Sequence, residues 1–133
     1  MPTTPDNIAE LESIVIPIAQ HEYTVISART DLMHYGVGDL PRDMPYCATL
    51  WPAAVALGHE VASLGLALKD RTVLELGAGV GLPGMVAARL GARGVQSEIS
   101  ETALDFARLN ARENNITTIQ HQVLDWRDCH FEQ

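Results

Sequence analysis

Cysteines and basic residues are both scarce in this sequence, and each shortage excludes a class of protein. Two cysteines, Cys47 and Cys129, are too few for a disulfide framework, and neither lies at a metal-ligand spacing. Nine lysines and arginines stand against seventeen acidic residues, which gives a net charge of −8. Nucleic acids and anionic membrane surfaces both require clustered basic residues. We therefore expect no nucleic acid and no membrane as a partner.

Targeting segments, membrane spans and metal-binding motifs are also missing. The first 13 residues are polar and acidic, unlike a signal peptide. The most apolar window, 50–68, is interrupted by His59 and Glu60, so it does not qualify as a membrane span. The five histidines are scattered along the chain, so we predict no metal site. These features predict a cytoplasmic protein.

The 133 residues are enough for one domain, which is preceded by a short tail. We assign residues 1–13 to the tail and 14–133 to the domain. β-Branched residues and polar–apolar alternation between Ile14 and Ala28 predict two short strands that form a hairpin. Glycines and prolines predict a loop over 36–46.

A helix is predicted after this loop. Pro52 suits its first turn, where the missing N–H costs nothing, and Lys69 and Asp70 mark its end. Apolar residues spaced alternately by four and three form one stripe along it, as a helix packed on a core requires. The stripe consists of Leu50, Ala54, Leu57, Val61, Leu64 and Leu68.

The second half of the chain alternates strands and helices. Strands are predicted over 72–76, 94–99 and 118–124, and helices over 85–90 and 101–113. Regular alternation at this spacing is typical of a parallel sheet covered by helices. We therefore predict an α/β fold, a Rossmann-like parallel sheet with flanking helices, with the hairpin added at the N-terminus.

A glycine-rich segment joins the first of these strands to its helix. Gly79, Gly81 and Gly84 match the pattern Gly-x-Gly-x-x-Gly, which lets a ligand approach the backbone at a helix N-terminus. Glu98 follows 17 residues after Gly81, close to the spacing of a carboxylate that binds ribose hydroxyls. No Gly-Lys-Ser/Thr follows, which excludes a nucleoside-triphosphate P-loop.

Glu75, two residues before Gly77, indicates which ribose-bearing ligand this loop takes. A carboxylate there repels a diphosphate but favours a ligand with an ammonium and a sulfonium. S-Adenosylmethionine carries both groups and is therefore favoured over NAD. Three other interpretations stay open: a simple strand–helix turn, a buried Glu75 without ligand contact, and a solvated Glu98.

Several segments together resemble a known family. The segment 73–81, VLELGAGVG, resembles motif I of class I S-adenosylmethionine-dependent methyltransferases. Together with PYCATLWP at 45–52, GLPG at 81–84 and LDW at 124–126, it resembles the lysine-methyltransferase-like family of seven-β-strand enzymes. The resemblance runs from about Ile14 to the C-terminus.

The resemblance implies a role for each segment. The loop 77–79 would contact the methionine part and the ribose, and Glu98, where the family more often has Asp, would bind the ribose hydroxyls. Asp125 and Trp126 would flank the adenine, and Trp51 would line the pocket, unless the two tryptophans are core aromatics. No catalytic residue is identified. The expected cofactor-binding residues are Trp51, Glu75, Gly77, Ala78, Gly79, Gly81, Glu98, Asp125 and Trp126.

The resemblance also implies that the fold is truncated after its third core strand. The family continues with further strands that supply most substrate contacts, and its first core strand is normally central. The far edge of the strand 72–76 would then lack a partner, which exposes unpaired backbone groups. We expect self-association through this edge, pairing of this edge with the N-terminal hairpin, or a longer parent protein.

Three functions follow from these observations. The first is a methyltransferase, or its cofactor-binding half, whose acceptor is a protein, by resemblance a lysine side chain, or a small molecule. The second is a catalytically silent module that binds S-adenosylmethionine or another protein. The third is an NAD-dependent oxidoreductase, which Glu75 and the LDW segment disfavour.

Overall fold

A computed structural model describes residues 11–28 and 46–128 of the chain. Three predicted features lie wholly or mostly outside the described residues: the first ten residues of the tail, most of the loop 36–46, and Cys129. Short 3₁₀ segments occur at Tyr46–Ala48, Gly65–Leu68 and Trp126–Asp128. The strands and helices are β1 (Leu11–Ile18), β2 (His21–Ala28), α1 (Pro52–Ser63), β3 (Thr72–Leu76), α2 (Leu82–Arg89), β4 (Arg93–Glu98), α3 (Glu101–Glu113) and β5 (Ile119–Val123).

The three later strands form a parallel sheet in the order β3–β4–β5. The helices α2 and α3 connect these strands and pack on them, so the predicted Rossmann-like α/β architecture is confirmed. Because the strands are parallel, their carboxyl ends meet at one edge of the sheet. On the face of the sheet that α2 and α3 do not cover, Leu74 and Leu76 of β3 are 43% and 44% exposed.

The hairpin forms a separate layer. β1 and β2 pair antiparallel from Leu11 opposite Ala28 to Ile18 opposite His21. The first strand therefore begins at Leu11, three residues before the predicted Ile14. The hairpin forms a two-stranded sheet of its own, so its predicted pairing with the free edge of β3 is wrong. It packs instead on α1 and α3.

The hydrophobic core lies between the hairpin and the helices. Ile18, Tyr23 and Val25 of the hairpin meet Met85 of α2 and Phe106 of α3 in one buried cluster. α2 is enclosed by α1, by side chains of the hairpin and by the sheet, so 82–87 are all buried. This position explains why the segment LPGMVAA carries no charged side chain.

The helix α1 begins at Pro52 as predicted but ends at Ser63, so the predicted continuation to Leu68 is wrong. Gly65 adopts φ +52°, a left-handed conformation that α-helix geometry does not allow, and it begins a 3₁₀ segment. Apolar spacing alone did not reveal this break, because the stripe continues through it.

The face of α1 that packs on the core also differs from the predicted stripe. Within the stripe, Leu57 and Leu64 are 51% and 53% exposed, and only Leu50 and Val61 pack against the core. Val55 and Ala62, which lie outside the stripe, also pack against it. The buried Gly58 lets the hairpin approach: a Cβ there would come within 2.7 Å of Ile18 Cδ1. Gly58, which lies outside the stripe, is therefore on the buried face of the helix.

Both later helices end as their sequences predict, although α2 begins earlier than expected. α2 begins at Leu82 rather than at residue 85, and Gly91 follows its end with φ +91°. The Ser100 hydroxyl caps α3 by accepting the backbone N–H of Ala103 at 3.2 Å. None of the helices within 46–128 has the length and apolar character of a transmembrane helix.

Candidate functional site

The glycine loop leaves the carboxyl end of β3 and turns directly into α2. Gly79 and Gly81 adopt φ values of +54° and +90°, which are accessible to glycine without strain. The loop is tied to the next strand, since the Ala78 N–H donates to the Ser97 carbonyl at 3.0 Å. The loop backbone is therefore held at the edge where the strands end.

Glu98, the last residue of β4, lies directly beside this loop. Its Oε1 accepts the Gly79 N–H at 2.9 Å, and its Oε2 accepts the Ile99 N–H at 3.1 Å. A carboxylate offers about four acceptor positions, so two positions remain for further donors. The Glu98 side chain can thus hold the loop and accept two hydroxyl groups at the same time.

Glu75 lies on the other side of the loop, beneath the first turn of α2. Its Oε2 accepts the Gly84 N–H at 3.0 Å and the Gln96 amide Nε2–H at 2.8 Å. Burial raises the pKa of the Glu75 carboxyl to about 7, and the Glu98 charge adds to the rise, although both hydrogen bonds oppose it. Glu75 is therefore both a hydrogen-bonded strand residue and a wall of the neighbouring cavity.

Two cavities adjoin the glycine loop and share Leu76 and Gly77. The loop cavity, about 330 Å³, lies on the α1 side. The strand-end cavity, about 390 Å³, lies on the β4 and β5 side. The loop cavity is lined among others by Thr49, Trp51, Glu75, Ala78, Gly79 and Pro83. The strand-end cavity is lined among others by Glu98, Ile99, Leu124, Trp126 and Arg127.

Asp125 and Trp126 follow β5 at the rim of the strand-end cavity. Trp126 is 66% exposed, so it is not a core aromatic. The Asp125 carboxylate binds the Arg127 guanidinium through Oδ1–Nε at 2.9 Å and Oδ2–Nη2 at 2.6 Å. These hydrogen bonds lower the pKa of Asp125 to about 2. Asp125 therefore stays ionised with Arg127 beside it.

The structure brings most of the predicted binding residues to one edge of the sheet. Asp125 lies between two residues that line the strand-end cavity, without lining it itself. Gly81 is buried beneath the loop, and its carbonyl accepts the Gln96 amide at 2.8 Å. Their contacts with a cofactor stay a prediction. The predicted residues that line one or both cavities are Trp51, Glu75, Gly77, Ala78, Gly79, Glu98 and Trp126.

Sequence reasoning missed three residues that support this site. Gln96 is 1% exposed in the middle of β4, and a polar residue flanked by Val95 in a predicted core strand was a signal that could have identified it. Arg127 and Thr49 line the cavities without any sequence signal. Among the described residues, no cluster of potential ligands could hold a metal ion.

The sequence of this chain matches a known protein family. Residues 43–132 match the family described as lysine methyltransferase. The chain belongs to this family. The resemblance to class I S-adenosylmethionine-dependent methyltransferases is thereby confirmed, and S-adenosylmethionine is the cofactor that the family membership indicates.

Some of the curated relatives that match the chain are named lysine methyltransferases, and others are named arginine methyltransferases. It is 38% identical over 89 residues to the protein N-lysine methyltransferase METTL21A of Xenopus tropicalis, covering 64% of this chain and 41% of that protein. It is 37% identical over 83 residues to the histone-arginine methyltransferase METTL23 of Mus musculus, covering 61% of this chain and 33% of that protein. The chain thus spans less than half the length of these relatives.

Solved structures show the same fold at lower identity. The 16S rRNA N2 G1207 methyltransferase of T. thermophilus, solved with AdoMet and guanosine, superimposes with a TM-score of 0.58 at 22% identity. The match covers 83% of this chain and 26% of that one. The family match and this superposition agree on a methyltransferase-type Rossmann-like fold.

Proposed function

We propose that this chain is the cofactor-binding part of an S-adenosylmethionine-dependent methyltransferase that methylates a protein lysine. The observation that carries the proposal is the pair of carboxylates on the two sides of one glycine loop. Glu98 accepts the Gly79 amide, and Glu75 accepts the Gly84 amide. Each carboxylate is thus fixed to the backbone that would surround the ligand.

The chemistry of these groups fits S-adenosylmethionine better than a dinucleotide. The two acceptor positions left on Glu98 suit the two ribose hydroxyls, and the apolar Ile99, Leu124 and Trp126 beside it suit an adenine. Glu75 in the loop cavity suits a ligand ammonium but repels the diphosphate of NAD. The shared wall at Gly77 separates the adenosine side from the methionine side.

The residues of this chain would act by binding and orientation. S-Adenosylmethionine, when bound, supplies an electrophilic methyl group, and its sulfonium sulfur is the leaving group, which becomes a neutral thioether. An acceptor amine held beside it would form the new N–C bond as the C–S bond breaks, and the proton released from the amine would pass to solvent. Such a displacement depends mainly on proximity and alignment. We therefore assign no catalytic residue within this chain.

A lysine acceptor is supported by the family and by the relatives named N-lysine methyltransferases. The relatives named histone-arginine methyltransferases make a protein arginine the alternative. Both names agree on a protein as the acceptor. A chain with only two cysteines, of which Cys47 is free, suits the reducing cytoplasm, where we propose that it acts.

Calorimetric titration with S-adenosylmethionine and, separately, with NAD tests the cofactor assignment. We expect the wild-type chain to bind S-adenosylmethionine and not NAD. Glu98→Ala should weaken this binding by about 100-fold, because two hydrogen bonds to a charged acceptor are lost. Glu113→Ala, which removes an exposed carboxylate at the far end of α3, is the matched control and should bind as the wild type does.

Equal binding by Glu98→Ala and wild type would contradict the ribose assignment. Tighter binding of NAD than of S-adenosylmethionine would favour the oxidoreductase. Binding without any transfer of labelled methyl groups would favour a silent module.

Transfer of a labelled methyl group to cell-extract proteins tests the acceptor. Hydrolysis of the labelled product separates methyl-lysine from methyl-arginine. We expect the label in methyl-lysine, and label found only in methyl-arginine would contradict a lysine acceptor.

A further inference from the structure

Three polar side chains form a continuous row across the parallel sheet. Glu75 on β3 lies opposite Gln96 on β4, and Gln96 lies opposite His121 on β5. Gln96 is 1% exposed, while His121 is half-buried at the outer strand. The row therefore runs from the site to the far edge of the sheet.

The hydrogen bonds of Gln96 fix which groups along this row donate and which accept. Its Nε2 donates to Glu75 Oε2 and to the Gly81 carbonyl, both at 2.8 Å. An amide nitrogen carries two hydrogens and accepts nothing, so these two bonds use its full capacity. The Gln96 Oε1 can then only accept, and the His121 Nε2 lies 3.1 Å from it. The Nε2 of His121 must therefore carry a hydrogen.

The two partners of the Gln96 amide belong to the cofactor site. Gly81 is the residue at which the glycine loop enters α2, and Glu75 is a wall of the loop cavity. Space around this contact is fully used, because a Cβ on Gly84 would collide with both Gln96 and Glu75. The amide thus fixes the loop and the Glu75 carboxylate relative to each other.

We propose that Gln96 and His121 are positioning residues of the cofactor site, with His121 acting through Gln96. This proposal rests on the proposed function of the glycine loop as the S-adenosylmethionine site. His121 prevents the Gln96 amide from turning over. A reversed amide would place Oε1 against the Glu75 carboxylate and the Gly81 carbonyl, which are both acceptors.

His121 lies too far from the cavities to contact the cofactor. Adjacent strands are about 4.8 Å apart, so two strand spacings separate His121 from Glu75 by about 10 Å. Neither the loop cavity nor the strand-end cavity includes His121. Its ring instead adjoins an outer groove with Arg108 and Arg112. A change at His121 therefore reaches the cofactor only through Gln96.

Cofactor affinity and amide exchange of the full chain test this proposal together. We expect His121→Leu to weaken S-adenosylmethionine binding about tenfold, because the buried Gln96 Oε1 loses its donor. His121→Gln places an amide N–H near the position of Nε2 and should restore the affinity. In a Gln96→Met background, His121→Leu should cause no further loss of S-adenosylmethionine affinity, because the amide through which His121 acts is absent. Gln122→Leu, an exposed neighbour on β5, is the control.

The ligand-free chain provides a readout that does not depend on binding. His121→Leu should accelerate hydrogen exchange of the Gly84 amide relative to global unfolding, and His121→Gln should not. Nitrogen NMR should find the neutral His121 ring protonated at Nε2.

Unchanged Gly84 exchange in His121→Leu, or a bare Nε2, would overturn the proposal. So would equal losses of affinity in His121→Leu and His121→Gln. A wild-type chain that binds no S-adenosylmethionine would refute the proposed function instead, and exchange and NMR would still decide the positioning role.

Discussion

Glu75 and Asp125 show how two carboxylates near one site acquire opposite properties. Burial holds the pKa of Glu75 up at about 7, whereas hydrogen bonds from Arg127 hold that of Asp125 down at about 2. Asp125 is therefore charged under all ordinary conditions. Glu75 changes its charge near neutral pH. A cation bound beside it would favour its ionised form.

The Glu75 pKa predicts a pH-dependent stability of the ligand-free chain. Its folded pKa lies above the ordinary value of 4.5, so the folded state binds the proton more tightly than the unfolded state. The resulting stabilisation is present at low pH and is lost as the pH rises toward about 7. The free energy of unfolding of Glu75→Gln should therefore rise relative to that of the wild type by about 2 to 3 kcal/mol between pH 5 and pH 8.

Urea unfolding of both proteins at these two pH values measures this difference. A stability difference that does not change with pH would show that Glu75 does not titrate differently on folding. The same variant should bind S-adenosylmethionine more weakly at pH 8, because the ammonium loses its carboxylate partner.

At the scale of elements, two asparagines bind the hairpin to the rest of the molecule: Asn110 of α3 and Asn114, the residue that follows its end. Asn114 Oδ1 accepts the Thr24 N–H at 2.9 Å, and its Nδ2 donates to the Thr24 carbonyl at 2.7 Å. Asn110 binds the N–H and carbonyl of Ile26 in the same way, at 2.7 and 2.9 Å. The two side chains thus replace a neighbouring strand along the free edge of β2.

Asn110 also connects this contact to the glycine loop, since its Nδ2 donates to the Val80 carbonyl at 2.9 Å. Asn110→Ala leaves three backbone groups without a partner and should lower the free energy of unfolding by about 3 kcal/mol. Hydrogen exchange of the Ile26 amide should become faster. Arg112→Ala, an exposed position on the same helix, is the control. Unchanged Ile26 exchange in Asn110→Ala would contradict this role.

At the scale of the whole molecule, the parallel sheet has one well-covered face and one open face. α2 and α3 pack on the first face, whereas Leu74 and Leu76 project from the second and are nearly half exposed. Among the described strands, β3 pairs only with β4, so its other edge offers unpaired backbone groups. Such an edge and apolar face favour association.

We propose that the isolated chain self-associates through β3. Sedimentation velocity should show a concentration-dependent increase in mass, and Leu74→Glu should shift the distribution toward monomer. Leu66→Glu changes a leucine that is 85% exposed in the 3₁₀ segment, and it should leave the association unchanged. A monomer at all concentrations, with rapid exchange of the β3 amides, would contradict the proposal.

Part of the site could be predicted from the sequence because its determinants are local. The left-handed residues of the glycine loop, the Ser100 cap and the acidic end of β4 each depend on neighbouring residues. The grouping of Glu75, Gln96 and His121 does not, since 21 and 25 residues separate Gln96 from its two side-chain partners. Strand register alone brings these side chains together.

By itself, the sequence determined the order of strands and helices, the position of the glycine loop and the family. These features follow from periodicity, turn chemistry and motifs, which are read along the chain. The tertiary structure decided which face of α1 is buried, that the hairpin forms its own layer, and which residues line each cavity. The Asn110 contact with Ile26 spans 84 residues, and such a pairing exists only once the layers have packed.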